Sequence, residues 1–198
     1  MAILRAAGGH DAASANLVRA ALRNAAPRLR VLALRVGAQR GLLAGVDLAM
    51  ALGDGDADVR REALALLARR DDADDPLDEV VARLGDADAL VAEAAAFALG
   101  ERPAPGAVAA LARLARDHDD ARCREAAVAA LGSLGDPAGR DAVIAALDDR
   151  PSVRRRAVIA LAAFEGPEVE AALARAHQDR DWQVRAAAAE LDDDPPAP

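Results

Sequence analysis

The feature that most constrains this chain is a repeat. Val59 opens the string VRREALALLA, and related strings open at Val91 (VAEAAAFALG), Cys123 (CREAAVAALG), Val153 (VRRRAVIALA) and Val184 (VRAAAAEL), with a weaker copy at Leu29 (LRVLALRVGA). Successive starts are 30, 32, 32, 30 and 31 residues apart. Self-similarity at such a period is the signature of stacked supersecondary units rather than of one closed core. Within each copy the small or apolar residues fall at offsets 0, +4, +7 and +8, the spacing of one buried helix face.

The punctuation agrees with that reading. Asp56, Asp88, Asp120 and Asp181 each stand three residues before a start, where a short acceptor caps a helix. Pro27 and Pro151 take the next position in two copies, where proline gives up only a donor that had no partner. Second helices are expected between these, near 13–24, 41–53, 76–85, 104–117, 137–148 and 167–178, several opening on proline (Pro76, Pro137, Pro167). The domain expected is 13–191, with repeats at about 13–40, 41–75, 76–102, 103–136, 137–166 and 167–191. Residues 1–12 form an N-terminal extension and 192–198 (DDDPPAP) an acidic Pro-rich tail. Composition supports helices throughout: 53% of residues are hydrophobic but only 2% aromatic, with no Tyr, Thr or Lys, so face-filling strands lack their usual side chains. Alanine at the facing positions lets similar helices approach closely.

Net charge is −8, which disfavours nucleic acid as the main ligand, and the missing lysine removes Schiff-base and P-loop chemistry. A single cysteine, Cys123, at a buried repeat position, gives no disulfide and no sign of an oxidising compartment. Neither a signal peptide nor a membrane span is legible, so a cytoplasmic, membrane-free protein is expected.

The pattern D-x-x-x-x-V-R-x-x-A-x-x-A-L-G resembles the short HEAT-like repeat of phycobilisome-lyase type, over roughly residues 13–191. The resemblance implies an all-α, right-handed α-α superhelix, a HEAT-like α-solenoid of about six helix pairs. It also implies a structural ladder in which Asp54, Asp86, Asp148 and Asp179 meet Arg30, Arg60, Arg124, Arg154 and Arg185. Asn24, His118 and Ala92 depart from that pattern, so the ladder is expected to be broken mid-array, by drift or to make way for a partner.

In such repeats the helices opened by these strings line the concave, binding face. Offsets +2, +3, +6 and +10 then give Arg61, Arg69, Glu93, Phe97, Glu101, Glu125, Arg155, Arg156 and Ile159 as candidate partner-binding residues. The centre, Glu93, Glu101 and Glu125, is expected to be acidic between arginines. Phe97 is either a groove-floor anchor or a side chain tucked into an alanine-lined gap. Trp182 either covers the end of the stack or docks a partner or second copy.

No catalytic constellation, cofactor site or metal site is expected. The Asp-rich loop from Asp71 to Glu79 lacks the central Gly and twelfth-position Glu of an EF-hand and reads as a solvated loop. The histidines His10, His118 and His177 are too dispersed for the paired His-Glu motifs of HEAT-repeat di-iron hydroxylases. The expected function is a non-catalytic adaptor or scaffold binding a protein or peptide on the concave face, as a monomer or as a homodimer through a solenoid end. Two alternatives follow from the resemblance. One is a lyase-like enzyme or enzyme-partner subunit of phycobilin lyase type; the other, disfavoured by the Arg150, Arg154–Arg156 cluster lacking aromatics, is a HEAT-like DNA glycosylase. An assembly factor for one enzyme shares the adaptor's features.

Overall fold

The computed structural model describes residues 2–193, with side chains from 12 to 191. Among these are twelve α-helices and no strand, with helices in alternating pairs. The odd members are α1 (Ala2–Leu22), α3 (Gly45–Leu52), α5 (Leu77–Ala82), α7 (Ala107–Asp117), α9 (Arg140–Ala145) and α11 (Pro167–Ala176). The even members, which carry the repeated strings, are α2 (Pro27–Gln39), α4 (Ala57–Leu67), α6 (Ala89–Glu101), α8 (Ala121–Leu134), α10 (Pro151–Leu161) and α12 (Trp182–Asp193). Short 3-10 turns extend α5 at Arg83–Gly85 and flank α9 at Pro137–Gly139 and Ala146–Asp148. Helix α1 runs through the expected boundary at residue 13. Most of the tail lies outside the described residues.

Each even helix packs on the next, so the chain is an α-solenoid whose single core runs its length. The repeat offsets decide what is buried. Val59, Val91, Cys123, Val153 and Val184 all lie in the core, with Ala63, Ala95, Ala127, Ala157 and Ala188 one turn later. Gly100 and Gly132 mark close approaches between neighbouring even helices: a Cβ on Gly132 would lie 2.7 Å from Ala160 Cβ, and one on Gly100 3.1 Å from Ala130 Cα. Backbone-to-backbone contact of that kind is what small side chains permit. Four even helices start at their aspartates as the sequence implies: Asp56, Asp88, Asp120 and Asp181 accept from the N–H groups of Asp58, Leu90, Arg122 and Gln183 at 2.8 to 3.0 Å.

A ladder of ion pairs joins the even helices. Arg30 reaches Asp54, Arg60 reaches Asp86 and Arg154 reaches Asp179, each by two parallel bonds of 2.6 to 2.9 Å. The third guanidinium nitrogen of each, Nη1, donates back to its own preceding loop, as Arg60 does to Asp54 O at 2.8 Å. One expected rung is misassigned. Arg124 pairs with Asp149 at 2.6 and 2.7 Å, while Asp148 pairs instead with the exposed Arg175 at 2.8 Å. The loop before α10 is one residue shorter: the rung aspartate accepts from the N–H of Arg150, the residue directly after it, where the other rungs accept from the residue two further on, so Asp149 rather than Asp148 takes the rung. The rung between α6 and α8 is missing at both ends. Ala92 is buried, and His118 Nδ1 accepts from the Asp120 N–H at 3.0 Å, as Asp54 accepts from the Asp56 N–H. At that helix contact Gly100 lies against Ala130.

The rungs bias the titration of their carboxyls. Arg124 and Arg154 hold Asp149 and Asp179 below the ordinary carboxylate range. At Asp54 and Asp86 burial is the largest single influence and pushes upward. Arg30, Arg60 and the backbone N–H groups of Asp56 and Asp88 together outweigh it, so these carboxyls also fall.

The Asp-rich connection is not simply solvated. The Asp75 side chain is fully buried between Arg70 (2.7 Å) and Arg102 (2.9 Å), and Asp74 accepts from the Gly45 N–H at 2.9 Å. Asp72, Asp74 and Asp75 converge within 4.8 Å, and Arg70 pairs with all three. The loop is a clamp between the second repeat and the third.

Candidate partner-binding groove

The even helices present a groove on the side away from their odd partners. Its larger segment, about 960 Å³, lies over α2 and α4 and is lined by Arg28, Val31, Leu32, Arg35, Arg61 and Glu62 among others. A second segment of about 670 Å³ lies over α4, α6, α8 and α10. Arg61, Ala65 and Ala94 line both, so the two are continuous.

The second segment brings together seven of the nine expected residues: Arg61, Arg69, Glu93, Phe97, Glu101, Glu125 and Arg156. Arg155 and Ile159, also on α10, lie outside both segments, and neither segment contains a residue of α12. Phe97 is 58% exposed, with Leu90 seven residues earlier on the same stripe of α6. Phe97 is therefore not tucked into a gap; it stands on the groove floor. The stripe exists because α6 satisfies its core with Val91, Ala95, Ala98 and Leu99, leaving offset +6 free to face out.

The charge pattern corrects the expectation of an acidic centre. Arg122 also lines the groove, and Glu125 is taken by Arg156 at 3.6 Å. Arg122 itself pairs with Asp120 at 2.7 Å and holds that carboxyl down to about 2. In the first segment Arg35 meets Glu62 at 2.7 Å and Arg61 meets Asp58 at 2.9 Å. Most groove charges thus occur as neighbouring opposite pairs. Arg69 and Glu101, both at offset +10, and Glu93 make no ion pair among the described residues and remain available to a ligand.

The sequence reading missed Arg122, which sits at offset −1. Offsets −1, +3 and +6 share one stripe by helical periodicity, so the signal was present. It also passed over the α2 wall, because the first copy of the repeat is the weakest. Cys123 is fully buried, donates to Ala89 O at 3.1 Å, and burial pushes its thiol up to about 11, the opposite of what a nucleophile needs. Trp182 opens α12 and is 67% exposed. Among the described residues no helix is long and apolar enough to cross a membrane.

The repeat geometry meets its family in the sequence. The family model for HEAT repeats matches residues 46–132 and 77–151, more than half of the chain. The chain belongs to the HEAT-repeat family. Its repeats also superpose on solved structures: an engineered protein at 21% identity (TM-score 0.69, covering 88% of this chain and 95% of that one), and a designed armadillo repeat protein in complex with the peptide (KR)4 at 18% identity (TM-score 0.64, 87% and 95%). A third is the E. coli protein YIBA, at 20% identity (TM-score 0.63, 91% and 71%). At these identities the likeness is one of fold. No curated protein matches the chain in sequence.

Proposed function

We propose that this HEAT-repeat protein is a non-catalytic interaction module that holds a protein or peptide segment along the groove of its even-numbered helices. The observation that carries the reading is Phe97, 58% exposed on the floor of a continuous groove in a chain with only three aromatic residues. An exposed aromatic in a concavity is an anchor for an apolar partner side chain. Beside it, one turn along α6, Glu101 offers a carboxylate to a basic residue flanking that side chain, and Arg69 offers the opposite charge. The designed armadillo protein that binds the peptide (KR)4 supports the reading as a case of the same fold used in this way. Among the described residues of the groove no acid, base and nucleophile converge, which favours binding over a lyase-like activity.

The test is a selection of displayed random peptides against the wild-type chain, followed by affinity measurements on Phe97→Ala. Truncating a central aromatic anchor typically costs about 2 kcal/mol, close to 30-fold in affinity. Enriched peptides are expected to carry an apolar residue next to a basic one and to lose binding on that scale. Enriched peptides that bind Phe97→Ala as well as wild type would remove Phe97 as the anchor.

A further inference from the structure

The groove is poor in the groups that an extended chain needs. A peptide lying flat on a protein presents an N–H and a C=O at nearly every residue, and each must find a partner once water is excluded. Among the described residues that line the two segments, Ser133 is the one uncharged side chain able to form a hydrogen bond. Interior backbone groups of the even helices are held in internal bonds, so no sheet edge is offered either. Most lining charges are already committed: Arg35 to Glu62, Arg61 to Asp58, Arg122 to Asp120 and Arg156 to Glu125. An α-helix brings its backbone bonds with it and needs only an apolar surface to lie on.

The floor has the relief that a helix packs against. At the offset of Phe97, α4 carries Ala65 and α8 carries Ala129, and three residues earlier α6 and α8 carry Ala94 and Ala126. Phe97, 58% exposed, is therefore a ridge with an alanine-floored hollow on either side. One helix seats its side chains on another in the same way, ridge into groove. Close contacts such as Gly100 on Ala130 put neighbouring even helices near the short end of the usual spacing, about 8 Å. The hollows over α4 and α8 are then two spacings or about 16 Å apart, which is about eleven residues of helix. Eleven residues make about three whole turns, so side chains at that separation share one face. Charge falls in with the same placement. On α6, Glu93 and Glu101 stand one turn to either side of Phe97, and neither makes an ion pair among the described residues. Arg69, at the Glu101 offset on α4, makes none either.

Given that a partner occupies this groove, we infer that the occupant is an amphipathic α-helix laid across α4, α6 and α8. It carries two large apolar residues about eleven positions apart, one over Ala65 and one over Ala129, each against a flank of the Phe97 ring. Between them lie a small residue, where the ring rises, and basic residues that reach Glu93 on one side and Glu101 on the other. An acid toward the α4 end meets Arg69.

Two displayed libraries of peptides of roughly 20 residues test this, one with apolar positions at helical spacing and one with apolar positions alternating. They are mixed and panned on the wild-type chain, and binders that also hold Phe97→Ala are discarded. The helical library is expected to supply the binders. A carbon-13-labelled binder in complex with the chain is expected to show the Cα shifts of helix. Proline at its centre, on the face away from the groove, is expected to weaken binding roughly a hundredfold. Ala65→Leu, at an exposed position, fills one hollow. It is expected to weaken the binder about tenfold, and to leave unchanged the affinity of a binder whose matching apolar residue is trimmed to alanine. Binders that depend on Phe97 but come from the alternating library, stay extended in the complex or tolerate the central proline would overturn the helix and leave the groove as the binding site. A helical binder indifferent to Ala65→Leu would overturn the placement over α4. Failure to obtain any binder that depends on Phe97 would overturn the groove reading and the helix with it.

Discussion

Replacing Arg154 by alanine is expected to cost about 3 kcal/mol of stability, at the lower end of what removing one member of a buried ion pair costs. Arg154 is 4% exposed, and its guanidinium makes three bonds of 2.8 Å, two to the Asp179 carboxylate and one to Asp149 O. Its loss strands the Asp179 carboxylate and the Asp149 carbonyl in the loop that leads into α10. For a domain of this size the melting temperature should fall by roughly 6–12 °C. Arg154→Lys keeps the charge and loses the fork, so it should fall between alanine and wild type. Arg175→Ala, which removes an exposed pair, should change stability by less than about 0.5 kcal/mol. Asp149→Asn should resemble Arg124→Ala, and Asp148→Asn should be near neutral. The same rungs set the acid limit. Their carboxyls titrate lower in the folded chain than in the unfolded one. The stability they add is therefore fully present above the unfolded value, about 3.9, and is lost as pH falls through the depressed folded values. Acid unfolding of Arg154→Ala should accordingly be shallower with pH, because one depressed carboxyl has been released.

Gly132→Ala is expected to destabilise the chain by about 2 kcal/mol, against the sign that helix propensity alone would give. In an exposed helix interior the same change would gain about 1 kcal/mol. Here the added Cβ would lie 2.7 Å from Ala160 Cβ and 2.8 Å from Ala160 Cα, so α8 and α10 must separate along their contact. Separation also stretches the rung from Arg124 to Asp149, so the loss is not confined to the glycine. Gly132→Val should cost more. Gly85→Ala is the control, because nothing lies within 4 Å of its Cβ, and it should be neutral or slightly stabilising. Urea midpoints of the three variants decide the matter. A Gly132→Ala chain as stable as wild type would mean that close helix approach does not explain the alanine content.

The helix pairs were legible because every copy repeats its own core offsets, caps and proline positions. From α3 onward the odd helices expected from punctuation alone fall within a few residues of their actual spans, whereas α1 starts at Ala2, well ahead of the expected residue 13. What was not legible depends on a length difference or on geometry across repeats. A fixed offset points to Asp148 rather than Asp149 because it cannot register a loop one residue shorter. The groove's charge was misread because Arg122 lies on a stripe that begins before the repeated string, and its pairing with Asp120 appears only once the first turn of α8 is formed. The clamp of Arg70, Asp75 and Arg102 joins residues 27 apart in sequence, a relation no local pattern announces. Arg155 and Ile159 were counted in by offset, but the groove wall on the α10 side reaches only Arg156.

The central claim is that the even-helix groove is where a partner sits. The most direct measurement places a photo-crosslinking phenylalanine analogue at position 97 and, separately, at Val46, which is 71% exposed on the odd-helix layer. Both forms are irradiated in the cell that produces the chain. The account predicts discrete partner adducts from position 97 and none from position 46, with those at 97 suppressed by a peptide selected on the groove. Equal adducts from both positions, or adducts from position 46 alone, would contradict it.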